Sequence, residues 1–146
     1  MPHNLDHAQD SEEQVEIVRK IDLSNLAWPS SSQASRGLCG NKEYVDFRGY
    51  SWTDANRVVT LEEEFIDQIE NSNDPQTVYE RIVDELYDED EGLLGLDLGI
   101  AGVVVALSAA GCVPFASCNG GVYGGHHHEH HPLVGFFHVA ESCPFS

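Results

Sequence analysis

One segment of the chain combines thiol and imidazole side chains densely enough to bind a metal ion. Residues 118–132 read Cys-Asn-Gly-Gly-Val-Tyr-Gly-Gly-His-His-His-Glu-His-His-Pro. Neutral imidazole and thiolate are ligands that zinc prefers and that nickel, cobalt and copper also accept. The glycines allow sharp turns, so Cys118 and the histidines can converge on one point. This loop is therefore predicted to bind zinc or another divalent transition metal.

The spacing of the histidines favours one ligand set. Pro132 favours an extended conformation in the residue before it, and side chains alternate between two sides in an extended segment. Cys118 is therefore expected to bind the metal together with two of the three alternate histidines. These three are His126, His128 and His130. A helical segment would instead align His127 with His131, one turn apart.

Glu129 lies between two of these histidines and could serve the metal in three ways. It could be a fourth ligand, a carboxylate that orients a ligating histidine, or a general base acting on a metal-bound water. The last role would make the protein a metal-dependent hydrolase. The opposing interpretation is a flexible polar loop whose solvated histidines bind metal only adventitiously.

Cys118 also supports a different chemistry. Asn119, Gly120 and Gly121 follow it, and their backbone amides could form an anion-binding nest. With a histidine as base, Cys118 would then resemble a thiol nucleophile beside an oxyanion hole. The third functional hypothesis is therefore a Cys118 thiol enzyme.

A weaker group of similar side chains is expected at the other end of the predicted strands. If the two C-terminal strands pair antiparallel, Cys112 lies near His138, with Glu141 and Cys143 close by. Cys112 and Cys118 cannot share one ion along an unbroken strand, because six residues span about 20 Å. A small buried hydrophobic residue is the favoured role of Cys112.

Residues 109–120 resemble part of a known family. The segment reads Ala-Ala-Gly-Cys-Val-Pro-Phe-Ala-Ser-Cys-Asn-Gly, predicted as a helix end, a strand and a turn. Its last four residues, from Ser117 to Gly120, are similar to the Ser-Cys-x-Gly turn of the Tyw3-type proteins of wybutosine synthesis. That family has an Arg after the turn, where this chain has Gly121, so the resemblance implies no RNA-linked activity.

The charge of the chain limits its partners. The formal net charge is −18, with 25 acidic residues against seven Lys and Arg. Such a field repels phosphate backbones and anionic lipid, so no nucleic-acid or membrane partner is expected. The negative charge could serve only to keep the protein soluble. It could also bind a basic protein partner, in which case this chain would be an antitoxin, immunity or anti-defence protein. That non-enzymatic interaction protein is the alternative to metal binding.

The distribution of charge is uneven. Of the 25 acidic residues, 22 lie at or before Glu91, and all seven Lys and Arg lie at or before Arg81. Residues 92–146 contain six of the eight histidines and no Lys or Arg. A phosphate site built on Lys or Arg is therefore excluded within that segment.

Two features bear on the cellular compartment. The N-terminal residues lack the basic and apolar regions of a signal peptide, so a cytoplasmic protein with reduced thiols is expected. Residues 98–116 are apolar except for Ser108, but Gly111 and Pro114 limit a helix there to about 13 residues. This is short of the roughly 20 that cross a bilayer. A buried core helix is predicted instead.

The overall pattern predicts an α+β fold in a single domain over residues 1–146. The acidic part, residues 1–92, is expected to be helical, and residues 93–146 to form a buried helix and two strands that carry the His/Cys loop. Four helices are expected to pack on a small sheet that ends in a strand–loop–strand unit.

Helix starts come from capping signals. Ser11 and Thr60 each open a capping-box sequence, and Asp74 precedes a proline suited to the first helical position. Asp97 is the predicted cap of the apolar helix over residues 98–110, with Gly111 as its stop. Strands are predicted over residues 112–117 and 133–140, and a short one over residues 44–50.

Overall fold

A computed structural model of the chain describes residues 14–20, 24, 31, 45–88, 92–120 and 132–138. The elements lying wholly within these residues form an α+β-like set. They are α1 (Trp52–Glu70), α2 (Pro75–Asp88), α3 (Ala101–Ala109), β1 (Cys112–Cys118) and β2 (Leu133–His138).

Helix α1 begins earlier than the sequence suggested. Ser51 is its N-cap, and Ser51 and Asp54 form a reciprocal capping box through side chain and backbone. The second capping-box sequence, at Thr60, lies inside the helix, where the Thr60 hydroxyl donates to the Asn56 carbonyl at 2.8 Å. Both sequences match the signal, and the upstream one starts the helix because the residues between them are helical as well.

Helix α2 begins as predicted. The carboxylate of Asp74 accepts from the backbone N–H of Thr77 at 3.2 Å and from its hydroxyl at 2.7 Å. Pro75 occupies the first helical position, where its missing N–H has no partner to lose. Ile82, on the inner face of α2, is fully buried.

The prediction of four helices packed on a sheet is wrong for the residues described. Residues 14–20, part of the expected helix from Ser11, form no helix or strand. Val15 and Ile17 pack against the core, while Val18, which the helical pattern placed beside Val15, is 62% exposed. Burial of the side chains therefore alternates from one residue to the next in this segment, as it does in an extended chain.

Contacts with α1 and α2 hold this extended segment. The N–H of Val15 donates to the side-chain oxygen of Gln76 at 2.7 Å. Arg19 pairs with three carboxylates along one face of α1, at 2.7 to 2.9 Å. These are Glu63, Asp67 and Glu70. The contact with Gln76 thus satisfies a backbone N–H that the predicted helix would have satisfied internally.

The core lies mainly among the three helices. Its fully buried side chains come from all three, and α1 packs against both α2 and α3. The largest of them are Ile69, Ile82, Val58, Val104 and Val105. Of the helices, α3 makes the main contact with the sheet, through β1. The sheet is therefore covered principally by one helix rather than by four.

A buried carboxylate on α1 holds the beginning of α3. Glu62 is only 7% exposed. One of its oxygens accepts from the N–H of Gly99 at 2.7 Å and of Ala101 at 2.9 Å, and the other from the N–H of Gly102 at 2.9 Å. The N-cap of α3, Ile100, makes no side-chain capping bond, so Glu62 supplies the acceptors that a local cap would have provided.

Gly102 permits this close approach of α1 and α3. A Cβ atom at that position would lie 2.7 Å from a carboxylate oxygen of Glu62 and 2.8 Å from Cγ2 of Val59. Both distances are shorter than van der Waals contact. Only glycine therefore fits where the two helices cross.

The predicted C-terminal strands form, and they pair as a two-stranded antiparallel sheet. Cys112 pairs with His138, as expected, and the register shifts between Pro114 and Ala116. The ring of Phe115 lies over Gly135, where a Cβ would approach it to 2.7 Å. Phe115 also contacts the ring of Phe137, with centroids 4.8 Å apart.

The short strand predicted over residues 44–50 is wrong for the described part, residues 45–50, which are irregular. Phe47 and Tyr50 stack on each other instead, with ring centroids 5.9 Å apart. The buried Ser108 hydroxyl donates to the Phe47 carbonyl and accepts from the Tyr50 N–H at 3.2 Å. The chain before α1 is thus attached to α3.

None of the helices in the described residues is both long enough and apolar enough to cross a bilayer.

Replacing Glu62 with glutamine is expected to lower the free energy of unfolding by about 1–3 kcal/mol, because either amide orientation points an NH₂ group at a backbone N–H donor. Urea unfolding near neutral pH measures the change. The matched control is Glu64→Gln, two positions away and exposed. Equal stability of the two variants would contradict the assigned role of Glu62.

The stability should also depend on the ionisation of Glu62. Burial raises the pKa of this carboxyl above its ordinary value of 4.5, although the surrounding backbone N–H groups act in the opposite direction. The folded protein then binds this proton more tightly than the unfolded chain, so stability from this group is complete below the ordinary pKa and is lost as the pH rises through the folded pKa.

Unfolding of the wild type and Glu62→Gln between about pH 4 and pH 8 measures this effect, since the remaining carboxyls are common to both proteins. The stability difference, wild type minus variant, is expected to decrease with rising pH. A difference that increases over this range would show that the N–H groups outweigh burial.

Candidate functional site

The sheet brings together the two ends of the predicted metal-binding loop. Cys118, the last residue of β1, pairs with Leu133, the first residue of β2. Residues 119 and 132, the first and last of the segment between the strands, therefore both adjoin this pair of residues. Cys118 is 8% exposed, so it belongs to the buried side of this junction.

The backbone turns sharply after Cys118. Gly120 has a φ of +83°, a left-handed conformation that glycine adopts without strain. Its N–H donates to the sulfur of Cys118 at 3.4 Å. The sulfur of Cys118 therefore lies beside the first turn of the loop.

Asn119 attaches the first residue of the loop to the helical part of the fold. Its backbone N–H donates to the carboxylate of Asp97 at 3.1 Å. Its side-chain amide donates to the carbonyl of Leu98 at 3.2 Å and to the hydroxyl of Tyr79, on α2, at 3.4 Å. The position after Cys118 is therefore fixed from two directions.

Asp97 contributes differently from the prediction. Its side chain was expected to cap α3, but the cap residue is Ile100, and the carboxylate of Asp97 binds Asn119 instead. The backbone carbonyl of Asp97 accepts from the N–H groups of Ile100 and Ala101, both at 3.2 Å. The turn over residues 97–102 thus contacts Glu62 on one side and the loop on the other.

The structure describes only one of the predicted metal ligands, Cys118. The other predicted site residues lie outside the described residues, and their roles stay predictions. They are His126, His128, Glu129 and His130. Within the described ranges, no group of three or more His, Cys, Asp and Glu side chains is arranged to hold a metal ion.

The weaker group at the other end of the sheet is described in part. Cys112 is 8% exposed and pairs with His138, which agrees with the expected antiparallel register. Glu141 and Cys143 lie outside the described residues. Cys112 and Cys118 occupy opposite ends of β1, as the argument against a shared ion required.

Sequence reasoning missed the roles of three side chains that position the loop. Glu62 lies within the capping-box sequence predicted to begin at Thr60, but it also falls at helical spacing among Ala55, Val58 and Ile69, where an acidic residue signals a buried partner. The side chains of Tyr79 and Asn119 gave no comparable signal, because each finds its partners in segments distant in sequence.

No protein family, curated protein or solved structure matches the chain. The similarity of Ser117 to Gly120 to the Tyw3-type turn, and the expectation of a basic protein partner, stay predictions from the sequence.

The burial of Cys118 predicts a slow reaction with alkylating agents. Under native conditions, iodoacetamide should modify it about tenfold or more slowly than in urea, because the reagent reaches only an exposed thiolate. Mass spectrometry after chymotryptic digestion resolves the sites, since residues 82–146 contain no Lys or Arg for trypsin. Cys112, equally buried at 8%, is the internal control. Native alkylation of Cys118 faster than in urea would instead favour the thiol-enzyme hypothesis.

Proposed function

We propose that the protein binds a transition metal ion, zinc in the first instance, in the loop between β1 and β2. Cys118 and two of three alternate histidines form the proposed ligand set. These histidines are His126, His128 and His130. The observation that carries the proposal is the pairing of Cys118 with Leu133, which joins the ends of the loop at a buried thiol.

The paired loop ends reduce the cost of assembling such a site. Binding must order the loop and bring its ligands together, and this ordering opposes affinity. Here the pairing of Cys118 with Leu133 already brings the two ends of the segment together, and the contacts of Asn119 fix the end that adjoins Cys118. The remaining entropy cost of metal binding comes from ordering the histidines between these two ends.

Local charge also favours a cation over an anion. The segment from residue 92 onward contains no Lys or Arg, so no fixed positive charge of that segment opposes metal binding. The carboxylate of Asp97 lies at the loop base, 3.1 Å from the N–H of Asn119. Metal ligation requires the thiolate form of Cys118, whose sulfur lies 3.4 Å from the backbone nitrogen of Gly120.

The donor set fits zinc by its chemistry. One thiolate and two imidazoles leave a fourth tetrahedral position, which a carboxylate or a water can occupy. Glu129 is the candidate for either ligation or proton transfer at that position. Hydrolytic activity is a narrower proposal than metal binding, and it requires that the fourth position stay open to substrate.

The test is zinc stoichiometry and affinity of protein purified without a nickel resin. Competition with a chromophoric chelator is expected to give one zinc per chain for the wild type. Cys118→Ser and the triple variant His126→Ala/His128→Ala/His130→Ala should each lose this binding, because each removes first-coordination ligands.

A matched control separates the loop from histidine content in general. His3→Ala/His7→Ala removes the two histidines that precede residue 92 and should bind zinc as the wild type does. Substoichiometric zinc in the wild type, unchanged in the loop variants, would overturn the proposal. Cobalt substitution adds a spectroscopic check, since a thiolate-to-cobalt charge-transfer band should disappear in Cys118→Ser.

A further inference from the structure

Residues 14–20, which we call the strap, contact α1 and α2 in the manner of a bound extended peptide. Val15 and Ile17 are half-buried and pack against the core, whereas Glu16 and Val18 are exposed. Proteins that recognise extended peptides use the same alternation, in which every second side chain enters the receiving surface. The strap therefore shows which kind of segment this surface of the helices accepts.

The surface also contacts the backbone of the strap. The side-chain oxygen of Gln76 accepts from the N–H of Val15 at 2.7 Å. The amide nitrogen of Gln76 donates to the carboxylate of Glu80 at 2.8 Å, and this contact orients the oxygen toward the strap. Because every residue except proline has a backbone N–H, the contact with Gln76 suits an extended segment of almost any sequence.

Three carboxylates of α1 form an acidic stripe that binds one arginine. Arg19 donates to Glu63 at 2.8 Å and to Asp67 at 2.9 Å. It also donates to both oxygens of Glu70, at 2.7 and 3.3 Å, in the bidentate arrangement that favours arginine over lysine. Three carboxylates face one guanidinium, so the stripe stays negatively charged with the strap in place, and it attracts cationic segments.

The contacts that hold the strap are mainly exposed. The side chain of Arg19 is 41% exposed, and its three partners are 43–61% exposed. Exposed ion pairs contribute little stability and are screened by salt. Within the described contacts, the N–H of Val15 is the one backbone group of the strap that bonds to α1 or α2. A segment held in this way opens locally while the helices beneath it stay folded.

We propose that the surface of α1 and α2 beneath the strap is a docking site for an extended, arginine-bearing peptide of a partner protein, and that the strap occupies this site in the same chain. The partner peptide has apolar side chains at two alternate positions and an arginine two positions after the second. The strap lowers the apparent affinity for the partner, because the partner binds only those chains whose strap is released.

The test uses a peptide of residues 14–20, acetylated and amidated at its ends, as the probe. Its binding is compared between the full-length wild type and the full-length variant Val15→Ser/Ile17→Ser/Arg19→Ser, whose strap cannot fill the site. The variant is expected to bind the peptide about tenfold or more tightly, because the intact strap competes from the same molecule at a high effective concentration. A ¹H–¹⁵N NMR titration measures the affinity and identifies the shifted amides, which should lie on α1 and α2.

Two controls test whether the acidic stripe is responsible. A peptide with Arg19→Gln should bind the strap variant about tenfold or more weakly than the original peptide. Adding Glu63→Gln, Asp67→Asn and Glu70→Gln to the strap variant should remove this preference for arginine. Raising the salt concentration should weaken the original peptide more than the Arg19→Gln peptide, since only the former forms the ion pairs.

Hydrogen exchange in the wild type measures release of the strap without any substitution. The N–H of Val15 should exchange about 100-fold or more faster than that of Val104, which donates to the Ile100 carbonyl in the buried helix α3. Equal protection of the two amides would show that the strap is released only by global unfolding, and it would overturn the proposal.

The remaining outcomes are equally decisive. Circular dichroism and urea unfolding establish whether the strap variant is folded. A folded variant that does not bind the peptide overturns the proposal, and so does an unfolded variant, because the strap would then be an integral part of the core. Light scattering tests a second copy of the chain as the occupant. A concentration-dependent dimer of the wild type that is lost in the strap variant would indicate exchange of straps between copies, and it would overturn the assignment to a partner protein.

Discussion

The structure depends on the way a buried carboxylate on one helix completes the first turn of another. Helix α3 is apolar except for Ser108, near its end, and offers no side chain to accept from its own first N–H groups. Glu62 supplies those acceptors from α1, and no ion pair to it occurs among the described residues. Because N–H groups and the helix dipole replace a cation, the contact depends on direction as well as charge, and it fixes where α3 begins.

The candidate site is built on the same turn. Residues 97–102 present N–H groups to Glu62, while Asp97 and Leu98 present oxygens to Asn119. This short segment therefore contacts both α1 and the beginning of the loop after Cys118, and it fixes the position of one relative to the other. The helical and sheet parts of the protein meet here through polar contacts, in addition to the packing of α3 on β1.

How far the sequence determines this arrangement depends on the range of the interactions. The beginning of α2, the end of α3 near Gly111 and the pairing of Cys112 with His138 were predictable, because capping residues and strand alternation act locally. Residues 14–20 were not, since apolar residues there match both a helical and an extended period over so short a length, and contacts with α1 and α2 decide between them. Of the candidate site, Cys118 at a strand end was predictable, whereas the contacts of Asn119 join segments more than 20 residues apart.

The ring of Phe115, which lies over Gly135, favours one register of β1 and β2 over the registers shifted by one residue. If β2 slipped by one residue in either direction, Val134 or Phe136 would come beneath the ring, where the approach of a Cβ is already too close for any side chain. Such a slip would also turn the side chains of β2 to the opposite face. The steric match therefore disfavours the two neighbouring registers and favours the one in which Cys118 pairs with Leu133.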